Sequence, residues 1–524
     1  MGRKYTEEEL NSCSKEMLIT LLLSMQDQME QLNKNMERLI EQIAVANNQK
    51  YGRSSEKLDV IEGQLNLFNE AEHLVETLYV PEPAIDNVVK VRPVKRKGKR
   101  EQDLSGLPVK VISHVLPEEK LQEIFGNKWK QLPDEIYKRL RYKPAEYLVE
   151  EHHVAVYAGT DNQTIIKADR PTEIFRNSII TPSLAAAIMN GKYVNALPLY
   201  RIEQEFKRND INLSRQVMAN WMIQCSDRHL SLLYERLHEK LMNYHVLQAD
   251  ETPVKVTKDG RPANTKSYMW VYRTGKMYKE AIVLYEYQKT RKADHPRKFL
   301  RNFDGIVVTD GYQVYHKLED EEELKVAGCW SHARRRYVDA VKVMSKEAAP
   351  KSIAYQALEQ IAAIYKLENE FSEMAPETRK EKRTLIIKPL VEAYFSWVKK
   401  QAETMGKGKT LSGLEYSINQ EKYLKTFLTD GEVPIDNNAA EQAIRGFCIG
   451  KQNWHLIDSI DGAKSSAVIY SIAETAKANN LKPYNYFEYL LTEIPKHYGE
   501  KDMSYLDDLL PWSDKLPAEC RKTL

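Results

Sequence analysis

Leu18, Leu22, Met25, Met29, Leu32, Met36, Leu39, Ile43 and Ala46 alternate steps of four and three, with polar residues between them. So narrow an apolar stripe at heptad spacing predicts a coiled coil over residues 1–50, and the expected partner for its seam is a second copy of the chain. The pattern lapses after "YGRSSEKLD". Residues 51–106 run irregular and acidic, then basic around Pro93 and Gly98, and read as a linker. In residues 107–180 the alternation of "YLVEEHHVAVYAG" predicts strands of a small mixed domain. His152 and His153 read there as ordinary strand residues, because no cysteine or further histidine stands at metal-ligand spacing.

Over residues 181–243 the period becomes helical. "LYRIEQEFKRNDINLSRQVMANWMIQC" has the form helix, short turn, helix, with Ser214 as the cap of the second helix. Arg215, Gln216 and Asn220 then lie near that helix start, where side chains reach base edges in a helix-turn-helix. A helical hairpin with no DNA role gives the same pattern.

In residues 244–344, "YHVLQADETPVKV", "SYMWVYRTG" and "EAIVLYEYQ" read as three antiparallel strands. "HPRKFLRNF" reads as a helix and "DGIVVTDGYQVY" as a short buried strand ending at Asp310. "LKVAGCWSHARRRYVDAV" reads as a strand running into a helix. The order βββαβαβα is that of the α/β ribonuclease-H-like fold, with a mixed five-stranded sheet. Residues 345–428 form a helical insertion in this reading, 429–475 return to the core, and 476–524 are a helical tail.

Length and composition narrow the class. At 524 residues the chain holds several domains, and 42% hydrophobic with 29% charged residues fits a globular protein. The net charge of +2 conceals a basic run from Lys90 to Arg100 and an acidic one from Glu319 to Glu323, so overall charge does not identify a partner. The cysteines Cys13, Cys225, Cys329, Cys448 and Cys520 make no C-x-x-C pair, which argues against a zinc ribbon or disulfide framework and for a reducing cytoplasm. "MGRKYTEEELNS" lacks the features of a signal peptide and no apolar run reaches membrane-spanning length. The expectation is a soluble cytoplasmic protein.

Asp250 in the first core strand and Asp310 at the end of the fourth are the candidate chemistry. Paired carboxylates repel unless cations compensate, so such a pair makes physical sense around metal ions. "PIDNNAAEQAIRGFCIGKQNWH" supplies a third. Asp436, Asn437 and Asn438 start its helix, and Glu441 would suit the first turn for dipole reasons alone, but the two aspartates make it a candidate ligand. Arg445 lies one turn further on the same face. Glu251 is expected on the opposite strand face from Asp250, away from the site.

These motifs resemble the DDE transposases of insertion-sequence family sixty-six. The likeness rests on "ADETPVKV", "TDGYQVY", "AGCWSHARRRYVDA", "PIDNNAAEQAIRGFCIGKQNW", "SIAETAKANNLKPYNYFEYLL" and "LDDLLPW", and extends upstream to "YGRSSEKLD", "ALPLYRIEQEF" and "LSRQVMANW". It implies a triad of Asp250, Asp310 and Glu441 holding two Mg²⁺ or Mn²⁺ ions, cleavage at an element's terminal inverted repeats, and strand transfer into target DNA. It also implies small accessory proteins of the same element. Arg334, Arg335, Arg336, Arg445 and Lys451 are candidates for DNA phosphates, each with a salt-bridging or solvated alternative. Trp454 reads as a core aromatic, the alternative being a stack with His455 on a frayed DNA end. Cys329 and His332 match a Cys-x-x-His pattern of some transposases with this fold. As half a zinc site they are expected to support the active site, with Asn437 and Asn438, by packing. Many relatives carry a cysteine-rich zinc segment where Leu116 to Thr172 here has no cysteine, so zinc is not expected. Competing readings are a nuclease or resolvase on the same carboxylates, and a DNA-binding repressor with a relict core.

Overall fold

The computed structural model describes residues 146–523 apart from 159–164, 168, 263, 264, 322 and 346, together with Glu119. The predicted coiled coil, the linker and most of the small mixed domain lie outside the described residues. Described residues up to Thr172 and from Arg521 belong to a smaller unit, and Glu173–Cys520 forms a larger one. In the smaller unit β1 (Val156–Ala158) pairs antiparallel with β2 (Ile165–Lys167). The stretch before β1 is not strand, contrary to the alternation. His152 and His153 lie there, exposed beside Glu150 and Glu151.

The larger unit opens with α1 (Pro182–Met189), α2 (Leu199–Arg208) and α3 (Arg215–Cys225). Ser214 caps α3 as expected, accepting from the Val217 N–H. A wide helical turn over Ser226–Leu230 then leads directly into α4 (Ser231–Leu241), so the second helix of the predicted hairpin is the start of a longer rod.

A sheet follows with β3 (Val246–Lys258), β4 (Lys266–Thr274), β5 (Val283–Gln288), β6 (Ile306–Thr309) and β7 (Lys325–Gly328), in spatial order β5-β4-β3-β6-β7. The first three strands are antiparallel, and β6 and β7 are parallel to β3. Between them lie α5 (Asp294–Phe299) and α6 (Gln313–Glu321), and α7 (Trp330–Val341) follows. A sixth strand, β8 (Ile457–Ser459), corrects the expected count of five. It pairs with the far end of β3 at Val256 and Lys258.

Period-two alternation divides the core. Leu247, Ala249, Val307 and Val326 pack toward α1–α4 and the C-terminal helices α14 (Ile460–Ala478) and α15 (Pro483–Glu493). Val246, Ile306, Val308 and Ala327 face the other way. There they meet α7, α8 (Ile353–Glu370), α10 (Lys388–Thr404) and α11 (Lys409–Asn419); α9 (Pro376–Lys382) and α12 (Glu421–Leu424) complete the helical segment. Trp330, Tyr337, Tyr394, Phe395 and Phe427 are among its largest fully buried anchors.

The sheet's β5 edge is closed by side chains. Ser471 Oγ accepts from the Tyr285 N–H at 2.7 Å and Thr475 Oγ1 from the Val283 N–H at 3.0 Å, while Asn479 exchanges two bonds with Ala281. Steps of four bring all three to one face of α14 and its C-cap, so a helix supplies the partners a further strand would have given. Ser471→Ala should leave a buried N–H without an acceptor and cost about 1–3 kcal/mol, read as a lowered denaturation midpoint of the full chain. A midpoint equal to wild type would show that the helix does not close this edge.

Candidate metal centre

On one side β3 is paired with β4 along most of its length. On the other it pairs with β6 only at Val246–Gln248 and with β8 only at Val256 and Lys258. Among the described residues the stretch between has no strand neighbour on that side. Helix α13 (Asn438–Trp454) lies over it. Asn437 Nδ2 donates to the Ala249 carbonyl at 2.8 Å and Lys451 Nζ to the Pro253 carbonyl at 3.0 Å, so the two ends of the helix supply donors that a strand would have provided.

The acids gather at this opening. Asp250 continues the parity of Val246 and Gln248, and Asp310 that of Ile306 and Val308, so both leave the sheet on one face, and the parallel register puts them level. Asp310 sits in the turn after β6. Its Oδ1 accepts from the Tyr312 N–H at 2.9 Å and its carbonyl from Tyr416 Oη at 2.7 Å. Gly311 has φ +89°, and a Cβ there would lie 2.8 Å from Tyr416 Oη, so only glycine fits this turn.

Glu251 departs from expectation. Its backbone parity is opposite, yet its carboxylate lies within 4.8 Å of ligand oxygens of both Asp250 and Asp310. Its longer side chain reaches past the end of β6, where no strand separates the two faces. Arg291 Nε at 2.7 Å and Tyr315 Oη at 3.1 Å hold it there. Arg291 in turn stacks 3.7 Å from the centre of the Tyr312 ring. A strict reading of strand alternation missed this third acid; the adjacent Asp-Glu pair was its only signal.

Burial, then the charges of Glu251, Asp310 and more weakly Glu441, push the Asp250 carboxyl well above its ordinary range. Glu251 is raised to about 7 by burial and by Asp310, against the opposing pull of Arg291. Crowded acids of this kind gain from a bound divalent cation, and an all-oxygen donor set suits Mg²⁺ or Mn²⁺.

Glu441 lies in the first turn of α13 and groups with Cys329 and His332 rather than with the aspartates. Its Oε2 accepts from Arg335 at 3.0 Å, and its Oε1 lies 3.5 Å from His332 Nδ1. Its charge is nonetheless felt at Asp250, so the two groups are electrostatic neighbours. Asn437 is not a side-chain cap; Asp436 accepts instead from both the backbone N–H and the amide of Asn438.

The family model for "Transposase IS66 family" matches residues 177–465, those for "IS66 C-terminal element" and "Transposase C of IS166 homeodomain" matching 471–512 and 38–112. The chain belongs to the IS66 transposase family. An uncharacterized protein of Sinorhizobium fredii, y4qI, is 29% identical over 396 residues, which cover 72% of this chain and 71% of that protein. Another from the same organism, y4jD, is 26% identical over 362 residues, 67% of this chain and 69% of that one. Among the described residues no helix is long and apolar enough to cross a membrane.

The remaining candidates of this IS66-family chain divide by environment. Arg215, Gln216 and Asn220 are exposed on α3. Arg334 is half-buried, Arg336 lies over the Tyr416 ring, and Lys451 is engaged with β3 through Thr252 and Pro253. Arg445 has a buried Nη1 with no hydrogen-bond partner. Trp454 packs edge-on against Phe447, while His455 ends the helix exposed at φ +60°.

Glu251 gives the metal-free protein a pH signature. Its folded value of about 7 lies above its ordinary 4.5. Its contribution to stability is therefore complete below that ordinary value and is lost as pH rises through about 7. Denaturation midpoints in chelator should fall across that window in wild type and fall less in Glu251→Gln. Identical profiles would exclude Glu251 from the cluster.

Proposed function

We propose that this IS66-family protein cuts DNA at the ends of its element and joins the freed 3′-hydroxyl to target DNA. In this reading the sheet with its helices is a ribonuclease-H-like core, residues 345–428 are an insertion in it, and Asp250, Asp310 and Glu441 are the metal-binding triad. The observation that carries the reading is the meeting of Asp250 and Asp310 on one face, level with each other, at the opening crossed by the helix of Glu441. The strand order β5-β4-β3-β6-β7, with its first three strands antiparallel and the rest parallel, supports the fold assignment.

Divalent ions held by the three carboxylates would activate the attacking hydroxyl or water and stabilise the leaving oxygen. The chain's own groups do the positioning. Arg445, with its unsatisfied guanidinium nitrogen, is placed to take a phosphate oxygen near Glu441. Arg335 holds Glu441 until the site is loaded, and then its guanidinium is available to the DNA backbone. Arg291 and Tyr315 keep Glu251 in place beside the aspartates. Further away, Arg215, Gln216 and Asn220 on α3 would read the element end, and residues 1–50 would pair two copies by their coiled coil. The 107–180 domain and small accessory proteins of the element would add DNA contacts.

The test is strand transfer with end-containing DNA, Mg²⁺ and the full chain. Asp250→Asn, Asp310→Asn and Glu441→Gln should each lower joining by ~10³-fold or more while retaining DNA binding. Undiminished joining in any one variant would remove that residue from the triad. Hydrolysis without joining in wild type, abolished by the same substitutions, would mark a nuclease instead.

A further inference from the structure

Cys329 and His332 occupy the N-cap and third residue of α7, and Glu441 the first turn of α13. The sequence offered only half a zinc site in Cys-x-x-His. The fold brings the missing ligand from another helix: Cys329 sulfur, an imidazole nitrogen of His332 and a carboxylate oxygen of Glu441 lie within 4.8 Å of one another. His332 Nδ1 and Glu441 Oε1 are both buried, 3.5 Å apart, and neither has a hydrogen-bond partner. Two unsatisfied polar atoms facing one another are costly, and a shared cation would satisfy both.

We propose that Cys329, His332 and Glu441 bind one thiophilic divalent cation of the zinc class, at a site separate from the oxygen-only group of Asp250, Glu251 and Asp310. Sulfur, imidazole and one carboxylate are a donor set that Mg²⁺ and Ca²⁺ refuse and Zn²⁺ accepts, with a fourth position left open. The ligands close from their present span to tetrahedral spacing of about 3.5 Å by side-chain rotation. As the sulfur–cation bond forms, the thiol proton leaves to solvent, so the dication meets one thiolate, one carboxylate and a neutral imidazole. Burial and the charges of Asp436 and Glu441 push the Cys329 thiol well up, so the cation itself supplies the pull that ionises it. The Asn437 N–H donates to Cys329 Sγ at 3.2 Å, and Arg335 holds the other oxygen of Glu441 in place.

A cation there fixes Glu441 toward α7 and reduces its availability to the aspartates. That consequence, inhibition of joining by zinc-class ions, rests on the proposed triad; the binding itself does not.

The test titrates Co²⁺ into the metal-stripped full chain, in the absence of DNA, and reads the thiolate-to-cobalt charge-transfer absorption. One equivalent should give the band, Zn²⁺ should bleach it, and excess Mg²⁺ should leave it. Cys329→Ser should abolish it, and His332→Ala and Glu441→Gln should weaken Co²⁺ binding by about 10–100-fold or more. Asp250→Asn should keep the band while losing joining, which separates failure of this site from failure of the triad. No band in folded wild type, or a band persisting in Cys329→Ser, overturns the proposal. Should the serine variant not fold, His332→Ala and Glu441→Gln decide, because unweakened binding in both overturns it equally.

Discussion

The site depends on one interaction missing among the described residues, a strand pairing for β3 between its contacts with β6 and β8. Backbone groups of a central strand must be satisfied by something. Here a helix does it, through Asn437 to Ala249 and Lys451 to Pro253. Because α13 must lie along that gap to make both bonds, Glu441 in its first turn is carried to the same end of the sheet as Asp250. A continuous strand in that place would have closed the opening at which the acids gather.

The acids assembled there are stable only because each is restrained by a different neighbour. Glu251 has Arg291 and Tyr315, Glu441 has Arg335, and Asp310 is held by the Tyr312 N–H in a turn that only glycine completes. Asp250 is pushed well above its ordinary range, first by burial and then by the charges of Glu251 and Asp310. Crowded carboxylates of this kind would gain from the positive charge of a divalent cation.

Much of this was legible from residue order. The element order of the sheet, the level positions of Asp250 and Asp310, the Ser214 cap and the helix beginning near Asn438 follow from alternation, period and capping chemistry. What escaped was set by non-local geometry. β8 is too short to announce itself in a pattern, yet it defines one edge of the opening. Glu251 obeys strand alternation in its backbone and evades it by side-chain length, which only the end of β6 makes possible. Glu441 lies nearer Cys329 and His332 than a simple three-acid cage implies, because α7 and α13 start side by side.

That last adjacency is held chiefly by Asn437, which is fully buried. Its N–H meets Cys329 Sγ at the start of α7, its amide meets Ala249 one residue before Asp250, and its carbonyl accepts from the N–H of Glu441 at 3.2 Å. Beside it, the Trp330 N–H donates to the Ile435 carbonyl and adds a second tie between the two helix starts. One asparagine thus fixes α7, α13 and β3 relative to one another, so the two groups of potential ligands cannot drift apart independently. In the proposed triad and the proposed thiolate site alike, a cation would act on Glu441 through this shared frame, by side-chain rotation rather than by movement of the fold.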